Sequence, residues 1–213
     1  MTLLSTILSF FPMLIMLMSF TCFLWVCVSP GIFSVMTLIL IIYGFPLLIN
    51  KIHTYFYPIE EGISYLCGKK YSPWWGSHQI QSIYITFPTL ERILRMIPGA
   101  FTLWLRLWGA KIGQNIYWTA HIEISDRTLL EIGDNVVFGH ACGLYSHVIK
   151  PKKNDLMLYV KKIKVGNNVF IGAGSHIAAG VNVVDETFLT ACTHLYPNSR
   201  LENTQLEDKL ILN

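Results

Sequence analysis

The chain from Ile112 onward carries apolar residues at a period of six, and this period constrains the fold more than any other feature. The stretch VGNNVFIGAGSHIAAGVNVV (165–184) returns to a branched apolar residue at Val165, Ile171, Ile177 and Val183. A period of six matches neither the 3.6 residues of an amphipathic helix nor the plain two-residue alternation of a flat sheet. The chain must therefore bury one side chain, turn, and bury the next.

The same period extends over most of the chain beyond residue 111. Gly or Asn recurs between the apolar positions, and both tolerate the left-handed backbone of sharp corners. Three such segments would form one triangular coil of about eighteen residues, and stacked coils would pair as parallel sheets. We therefore predict a mainly β fold, a parallel β-helix over 112–213, with LENTQLEDKLILN as its last strand or cap. Each repeat begins with an apolar residue: Ile112, Trp118, Ile124, Ile132, Phe138, Leu144, Val165, Ile171, Ile177, Val183, Leu189, Leu195 and Leu201.

Two interruptions of the period are informative. The segment from Ile124 to Ile132 contains two extra residues within SDRTLLE, which predicts a small corner insertion. The segment from Leu144 to Val165 contains about fifteen residues more than one repeat requires, including KPKKNDLMLYVKK. Because stacked coils cannot absorb these residues, we expect an excursion loop or hairpin at about 149–162, and such loops on rigid scaffolds are often functional.

The N-terminal region has the composition of a membrane segment. The 213-residue chain is 53% hydrophobic and only 14% charged, and residues 1–50 contain no Asp, Glu, Lys, Arg or His. Leu3–Val28 and Ile32–Ile49 are long enough to cross a hydrocarbon core of roughly 30 Å. We predict a transmembrane helical hairpin over 1–50 that turns at Pro30-Gly31, since lipid requires a fully hydrogen-bonded backbone.

A secretory signal peptide is the alternative for this region, but a basic leading segment and a small-residue cleavage site are missing. The first cations after the hairpin include Lys51, Lys69 and Lys70. This bias predicts that two helices cross the membrane and that the chain beyond residue 50 is cytoplasmic.

Residues 51–111 form a predicted juxtamembrane segment. Tyr57–Gly62 and Ser72–Gln81 have the mixed composition of irregular structure, whereas Thr89–Gly109 has helical spacing with a break at Pro98. Two interpretations of the helix remain open. It lies in the membrane interface with Arg92, Arg95 and Arg106 toward the headgroups, or it packs against the soluble domain.

Charge and cysteine content argue against a nucleic-acid partner and against a disulfide framework. The net charge of +3 comes without a run of Lys and Arg interleaved with aromatic residues, so we expect no nucleic-acid partner. The mild basic surplus suits an anionic membrane surface or a phosphate-bearing ligand. The five cysteines lack paired C-x-x-C spacing, which argues against a disulfide framework.

Two stretches carry a resemblance to a known family. The sequence LLEIGDNVVFGHACGLYSHVIKP, followed by an excursion and IKVGNNVFIGAGSHIAAGVNV, resembles the hexapeptide-repeat acyltransferases. YSPWWGSHQIQ and the segment from Leu90 to Trp118 are similar to a membrane-attached bacterial subgroup. The resemblance covers the chain beyond about residue 55. It implies a left-handed β-helix, a trimer, and transfer of an acyl group from coenzyme A or acyl carrier protein to a hydroxyl or amine.

The resemblance also implies site residues. His147, at the end of a coil just before the excursion, matches the family's catalytic base, and His140 is the alternative or a partner in catalysis. Backbone amides around Gly172 and Gly174 are candidates for oxyanion stabilisation and cofactor binding. The predicted donor is acyl-CoA or an acyl carrier protein thioester, with no metal. The candidate phosphate partners are Lys161, Lys162, Lys164 and Arg200, for which ordinary solvated charges are the alternative interpretation.

Other polar residues have weaker assignments. His176 and His194 are one coil apart, so we expect them to stack, and they are candidates for lining the cofactor groove. His121 is interpreted as structural or superficial. Residues outside the repeats are candidates for contact with a lipid, a lipid-linked sugar or an envelope glycan precursor as acceptor: Trp74, Trp75, His78, Glu60 and Glu61.

Two further functions compete with acyl transfer. The same fold serves zinc enzymes of the carbonic-anhydrase type, for which His140, His147 and His176 would supply imidazoles, although their spacing matches that family poorly. A non-catalytic membrane scaffold is the third candidate, because a fold alone does not determine chemistry. A short β-helix has a poor ratio of surface to core, so we expect a homotrimer.

Overall fold

The computed structural model describes residues 2–68 and 70–201. The predicted C-terminal strand or cap beyond Leu201 lies outside these residues. The chain divides into two compact units. The first, the helical unit, comprises residues 1–60, 64–87 and 150–157, and the second, the β unit, comprises 61–63, 88–149 and the chain from residue 158 onward.

The helical unit contains two apolar helical stretches that are long enough to cross a membrane. Leu3–Val28 has 26 residues and Ile32–Phe56 has 25, so the second extends beyond the predicted end at Ile49. Both are mainly apolar, as expected from the sequence, although the last turns of the second contain Asn50, Lys51 and His53. The helices of the unit are α1 (Leu3–Ser9), α2 (Phe11–Val28), α3 (Ile32–Ile39), a π-helix (Leu40–Gly44), α4 (Phe45–Phe56) and α5 (Pro73–Thr86).

Pro46 explains the irregular turn between α3 and α4. Proline has no backbone N–H, so it cannot donate the helical hydrogen bond that Ile42 would otherwise accept. The hydroxyl of Tyr84, which is buried on α5, donates to this Ile42 carbonyl at 2.6 Å. The side chain of another helix therefore satisfies a backbone group that the sequence leaves open.

Helix α5 corrects the prediction of irregular structure at Ser72–Gln81. Ser72 accepts a hydrogen bond from the Trp75 backbone N–H, and Pro73 occupies the first helical position, where its missing N–H has no cost. The buried Ser77 hydroxyl donates to Asn50 Oδ1 at 2.8 Å and accepts from Gln81 Nε2 at 3.0 Å. This helix thus packs in the helical unit through polar as well as apolar contacts. The mixed composition of Ser72–Gln81 therefore did not indicate a helix.

The β unit begins with two helices, α6 (Thr89–Arg95) and α7 (Ala100–Leu107). The break predicted at Pro98 is present, and Gly99 adopts a left-handed conformation there with φ of 75°. Arg95 donates to the carbonyls of Ala120 and Ile122 at 2.8 and 3.1 Å. Arg106 donates to the Ile112 and Gly113 carbonyls. Of the two interpretations of this segment, the structure favours packing on the first coil, since these arginines bond to backbone carbonyls of the β unit.

Three parallel sheets follow, and consecutive strands of the repeats enter them in rotation. Sheet A has the order β2-β4-β9-β12-β15, sheet B β5-β10-β13 and sheet C β3-β6-β11-β14. This confirms the predicted mainly parallel β structure preceded by apolar helices. The strands are β1 (Gly62–Tyr65), β2 (Lys111–Ile112), β3 (Glu123–Ile124), β4 (Leu130–Ile132), β5 (Val137–Phe138), β6 (Gly143–Tyr145), β7 (His147–Lys152), β8 (Asp155–Val160), β9 (Ile163–Val165), β10 (Phe170–Ile171), β11 (His176–Ala178), β12 (Asn182–Val183), β13 (Phe188–Leu189), β14 (His194–Leu195) and β15 (Arg200–Leu201).

The register confirms the six-residue period. Phe138, Ile171 and Leu189 are consecutive partners in sheet B, and their side chains are buried. The Trp118 ring stacks on Phe138 with an interplanar angle of 3°. Corner residues carry the predicted left-handed backbone, and Asn115, Asn135 and Asn168 have φ near 55° and form a side-chain ladder of 3.0–3.1 Å bonds.

The long interruption of the repeats contains two paired strands, β7 and β8. They form a three-stranded sheet with β1, in the order β1-β8-β7. Asp155 Oδ1 accepts from the Cys67 backbone N–H at 2.9 Å, and this bond lowers the pKa of the Asp155 carboxyl. The excursion is therefore an ordered hairpin. It begins at His147 itself, the last residue of the preceding coil.

Candidate active site

His147 and Asp126 form a hydrogen-bonded dyad in the β unit. His147 Nδ1 lies 2.6 Å from Asp126 Oδ2. The carboxylate is buried with 2% side-chain exposure, whereas 19% of the imidazole side chain reaches solvent. An ionised carboxylate only accepts hydrogen bonds, so Nδ1 is the donor in this pair, and in a neutral imidazole the lone pair is then on Nε2. This arrangement can accept a proton from a nucleophile.

The corner insertion brings Asp126 to this position. Ile124 and Leu144 are partners in sheet C, and the Ser125 backbone N–H donates to the Leu144 carbonyl at 3.0 Å. The two strands therefore end at the same corner, one followed by Asp126 and the other by His147. Within the turn, Ser125 Oγ donates to Asp126 Oδ2 at 2.8 Å. One carboxylate oxygen thus accepts from both a hydroxyl and the imidazole.

A buried ion pair lies next to the dyad in the chain. Arg127 donates from Nε and Nη2 to the two carboxylate oxygens of Glu91 on α6, at 2.6 and 2.9 Å. The Trp104 indole N–H of α7 donates to the same carboxylate at 2.9 Å. All three side chains are buried. The turn that carries Asp126 is therefore linked to both helices that open the β unit.

The sequence reasoning missed Asp126, Arg127 and Glu91. A usable signal was present, because the extra residues of SDRTLLE place a charged pair where the period predicts an apolar interior. Counting from the paired residues Ile124 and Leu144 would have placed Asp126 at the corner of His147. Glu91 offered no comparable signal, since its partner is 36 residues away.

His140, the alternative base, lies next to His121. Its exposed ring is 4.7 Å from that of His121, in a T-shaped arrangement. The positive charge of Arg92 is the main cause that lowers the pKa of His121. A catalytic role for His140 stays a prediction.

The backbone amides of Gly172 and Gly174 are committed to the coils. Gly172 N–H donates to the Leu189 carbonyl at 2.9 Å, and Gly174 N–H donates to the His140 carbonyl at 2.7 Å. These amides are therefore already satisfied, which corrects the expectation that they stabilise an oxyanion. A part in lining the cofactor groove stays a prediction for both glycines.

Three lysines converge on one carboxylate of sheet A. Glu131 lies 3.0 Å from Lys162 Nζ, 3.3 Å from Lys111 Nζ and 3.5 Å from Lys164 Nζ. The hydrogen bond from Lys162 is the main cause that lowers the pKa of the Glu131 carboxyl. The cluster keeps a surplus of positive charge. Of this cluster, Lys111, Glu131 and Lys164 line an open groove together with Gly133, Gly166, Asn182 and Asp185.

The other predicted phosphate partners also belong to the β unit. Lys161 Nζ donates to Asn198 Oδ1 at 3.0 Å, and Arg200 is exposed on β15. One column of residues that pair across neighbouring strands of sheet A carries four charged side chains among its five residues. The column consists of Lys111, Glu131, Lys164, Asn182 and Arg200. This column has the chemistry of an anion-binding surface.

His176 and His194 stack as predicted. They are direct partners in sheet C, and their rings lie 4.8 Å apart in a T-shaped arrangement. The Tyr145 ring is 5.7 Å from His176, and its hydroxyl donates to Glu123 at 2.9 Å. Burial, followed by the Glu123 contact, raises the pKa of Tyr145 to about 12. Both histidines are exposed, so they remain candidates for lining a cofactor groove.

The predicted acceptor residues are spread over different elements. Trp74 and Trp75 are on α5, where Trp74 is only 3% exposed and its ring stacks on His78. Trp75 Nε1 donates to Ser9 Oγ at 3.4 Å. Glu60 precedes β1 in the helical unit, whereas Glu61 belongs to the β unit and accepts from the Lys162 backbone N–H. Contact of these residues with an acceptor stays a prediction.

The zinc alternative is not supported by the histidines named for it. Within residues 2–68 and 70–201, His140, His147 and His176 do not form a group whose ring nitrogens are close enough to share one ion. Each imidazole has a different neighbour: His121, Asp126 and His194, respectively.

Comparison with curated proteins identified one distant relative. No family model matches the chain. It is 27% identical over 121 residues to the delta-poly-L-ornithine synthetase of Acinetobacter baumannii, a match that covers 56% of this chain. The chain spans only 9% of the length of that relative.

Three solved structures similar to the chain are acetyltransferases. A galactoside acetyltransferase in complex with coenzyme A is 21% identical, covering 53% of this chain and 72% of that chain, with a TM-score of 0.39. A hexapeptide-repeat-containing acetyltransferase from Vibrio cholerae is 12% identical, covering 56% and 85%, with a TM-score of 0.38. A maltose O-acetyltransferase from Clostridium difficile 630 is 15% identical, covering 57% and 82%, with a TM-score of 0.37.

Proposed function

We propose that this protein is a membrane-anchored acyltransferase in which His147 is the general base. The hydrogen bond between His147 Nδ1 and the buried Asp126 carboxylate carries the proposal, because it favours the Nδ1–H tautomer of the neutral imidazole, whose side chain is 19% exposed. The resemblance of the hexapeptide repeats supports the class of reaction, and it also implies that the coils wind left-handed.

The chemistry follows from the dyad. Nε2 accepts the proton of the acceptor's hydroxyl or amine as that atom attacks the thioester carbonyl, forming the new C–O or C–N bond. The C–S bond then breaks, and the imidazolium returns the proton to the thiolate. Asp126 stabilises the transient imidazolium and fixes the ring tautomer. In this mechanism His147 therefore forms no covalent bond to the acyl group.

The donor is an acyl-CoA, or alternatively an acyl carrier protein thioester. The lysine cluster around Glu131 supports this, because phosphates bind cations and its three lysines exceed the single charge of Glu131. The exposed His176 and His194 are the candidate lining of the groove at sheet C.

The acceptor is an amphiphile, such as a lipid, a lipid-linked sugar or an envelope glycan precursor. Two apolar helices of membrane-spanning length support anchoring, and the proposed membrane is the bacterial inner membrane. In this proposal residues 1–50 form the hairpin, 51–111 the juxtamembrane segment and 112–213 the cytoplasmic acyltransferase domain.

The protein is also proposed to be a homotrimer. Sheet B supports this, because its outer column is apolar: Val137, Phe170 and Phe188 are consecutive partners, and the two phenylalanine rings stack at 4.6 Å. Phe170 is 36% exposed in the single chain, and a second copy would cover it. Phe170→Lys should therefore give a smaller particle in light scattering coupled to size-exclusion chromatography. An unchanged mass would exclude this face.

A labelling assay tests the function. Full-length protein in lipid nanodiscs is incubated with radiolabelled acetyl-CoA or longer acyl-CoA and either a polar lipid extract or a lipid-linked saccharide fraction. We expect label in one extractable product, and none with His147→Ala, whose chromatographic profile should be unchanged. Transfer that persists in His147→Ala would contradict the assignment of the base. A wild-type protein that transfers label to neither fraction, from neither CoA nor acyl carrier protein, would favour a scaffold.

A further inference from the structure

The turn that carries Asp126 is fixed at both of its ends. On one side, Ser125 is bonded to the β-coil, because its backbone N–H donates to the Leu144 carbonyl at 3.0 Å. On the other side, Arg127 is bonded to helix α6 through Glu91. Asp126 lies between these two attachments and is itself 1% exposed.

We infer that Glu91 and Arg127 are positioning residues that hold the Asp126 carboxylate against His147. This inference rests on the proposed function of the dyad. The two residues act by fixing the backbone of the turn, and the helices α6 and α7 thereby become part of the catalytic framework.

Geometry supports this role. The two bonds from Arg127 to Glu91 form a bidentate pair, which fixes the plane of the guanidinium as well as its distance. The indole N–H of Trp104 holds the same carboxylate from α7. A hydrogen bond of 2.6 Å between His147 and Asp126 would be lost if the turn moved by about 1 Å, because bonds beyond roughly 3.5 Å no longer form.

Energetics point in the same direction. Removing two charges from water is costly, so a buried ion pair often contributes less net stability than a well-packed apolar pair of similar volume. Such a pair therefore explains little of the stability of the β unit. Arg127 directly follows Asp126 in the chain, and its two bonds to Glu91 hold it in one orientation. The pair therefore fixes the position of Asp126.

The test uses a double variant, Glu91→Gln with Arg127→Met, in the full-length protein. It removes both charges together and so avoids leaving one buried charge unpaired, while the amide oxygen introduced by Glu91→Gln would still accept from Trp104. We expect a thermal midpoint within about 3 °C of the wild type. We expect kcat to fall about 10–100-fold with KM for acetyl-CoA unchanged, as for other residues that orient a reacting group.

A second readout does not depend on activity. In ¹⁵N-histidine NMR spectra, assigned with His147→Gln, we expect the wild-type His147 to show a single tautomer with the proton on Nδ1. The double variant should show a mixture of both tautomers. If the wild type transfers no acyl group, the proposed function fails, while the NMR comparison still decides whether Glu91 and Arg127 orient the ring.

The matched control is Asp134→Asn, which removes a carboxylate that accepts from the Gln114 backbone N–H in the same unit. We expect it to retain the wild-type tautomer. A folded double variant with wild-type kcat and a single Nδ1–H tautomer would overturn the inference. A tautomer mixture in Asp134→Asn as large as in the double variant would also overturn it, since the effect would then reflect general loosening.

Discussion

Asp126 Oδ2 accepts hydrogen bonds from both Ser125 Oγ and His147 Nδ1, at 2.8 and 2.6 Å. The two residues of the dyad are 21 positions apart, and neighbouring strands of sheet C bring them together. The carboxylate is buried, whereas the imidazole is partly exposed. In the proposed mechanism His147 therefore meets the ligand and Asp126 is a positioning residue.

Replacing Asp126 with Asn should abolish most activity without unfolding the protein. The amide retains the size of the carboxylate, but its NH₂ group can donate to Nδ1 and so favour the tautomer that protonates Nε2. That nitrogen would then have no lone pair for the acceptor's proton. We expect kcat to fall about 10²–10⁴-fold in the labelling assay, with little change in thermal midpoint.

Ser125→Ala provides the graded comparison. It removes the Ser125 hydroxyl as a donor to the carboxylate but leaves the carboxylate's charge and its bond to His147, so we expect a smaller loss of kcat than for Asp126→Asn. Equal activity of the wild type and Asp126→Asn would show that the dyad has no part in the reaction.

Glu131 should make the stability of the β unit depend on pH. The bond from Lys162 lowers the pKa of this carboxyl in the folded protein. Its stabilisation is therefore fully present above the ordinary pKa of 4.5 and is lost as the pH falls through the lowered value. We expect the thermal midpoint of Glu131→Gln to lie about 1–4 °C below that of the wild type at pH 7, and this difference to shrink below about pH 4.

Salt provides the control for this prediction. Partly exposed ion pairs are screened, so the difference at pH 7 should decrease in about 1 M NaCl. Glu186, which is exposed at a corner, offers a comparison variant, Glu186→Gln, with little expected effect. A difference that grows as the pH falls would contradict the assigned direction of the pKa shift.

Gly76 should be intolerant of larger side chains. A Cβ at this position would overlap the Tyr71 hydroxyl, the His53 imidazole and a methyl group of Leu8. We expect Gly76→Val to destabilise the helical unit by about 1–3 kcal/mol or more, measured as a lower thermal midpoint in detergent. Gly31→Ala is the matched control, since a Cβ there meets nothing within 4 Å. Equal midpoints for the two variants would contradict this close packing.

The sequence predicted the repeats well because their signal is local and redundant. Each apolar position, such as Ile171 or Ile177, is buried by the same strand geometry as its neighbours, so one rule describes all of them. His147 was predicted as the base from the family resemblance, and its place just before the break in the period was the physical support for that choice.

The remaining site residues depend on contacts that no period encodes. Glu91 bonds to Arg127, which is 36 residues away in the chain. Arg95 bonds to the Ala120 carbonyl, whereas its place in the sequence was equally consistent with contact to lipid headgroups. Helix α5 was missed because Trp74, Gly76 and Ser77 look like loop residues until tertiary packing buries them. Tertiary contacts override local propensity at such positions.

The proposed membrane topology predicts opposite labelling of two exposed positions. Ser29 lies in the turn between the two apolar helical stretches, and Tyr196 is 77% exposed in the β unit. In a background with all five cysteines replaced, we expect Ser29→Cys to react with a membrane-impermeant maleimide added to cells with a permeabilised outer membrane. Tyr196→Cys should react only after the inner membrane is disrupted, because the cation bias after residue 50 places that side in the cytoplasm. Labelling of the Tyr196→Cys variant in cells with an intact inner membrane would contradict the cytoplasmic assignment. Extraction of the protein from membranes by alkaline carbonate would contradict the proposed transmembrane hairpin.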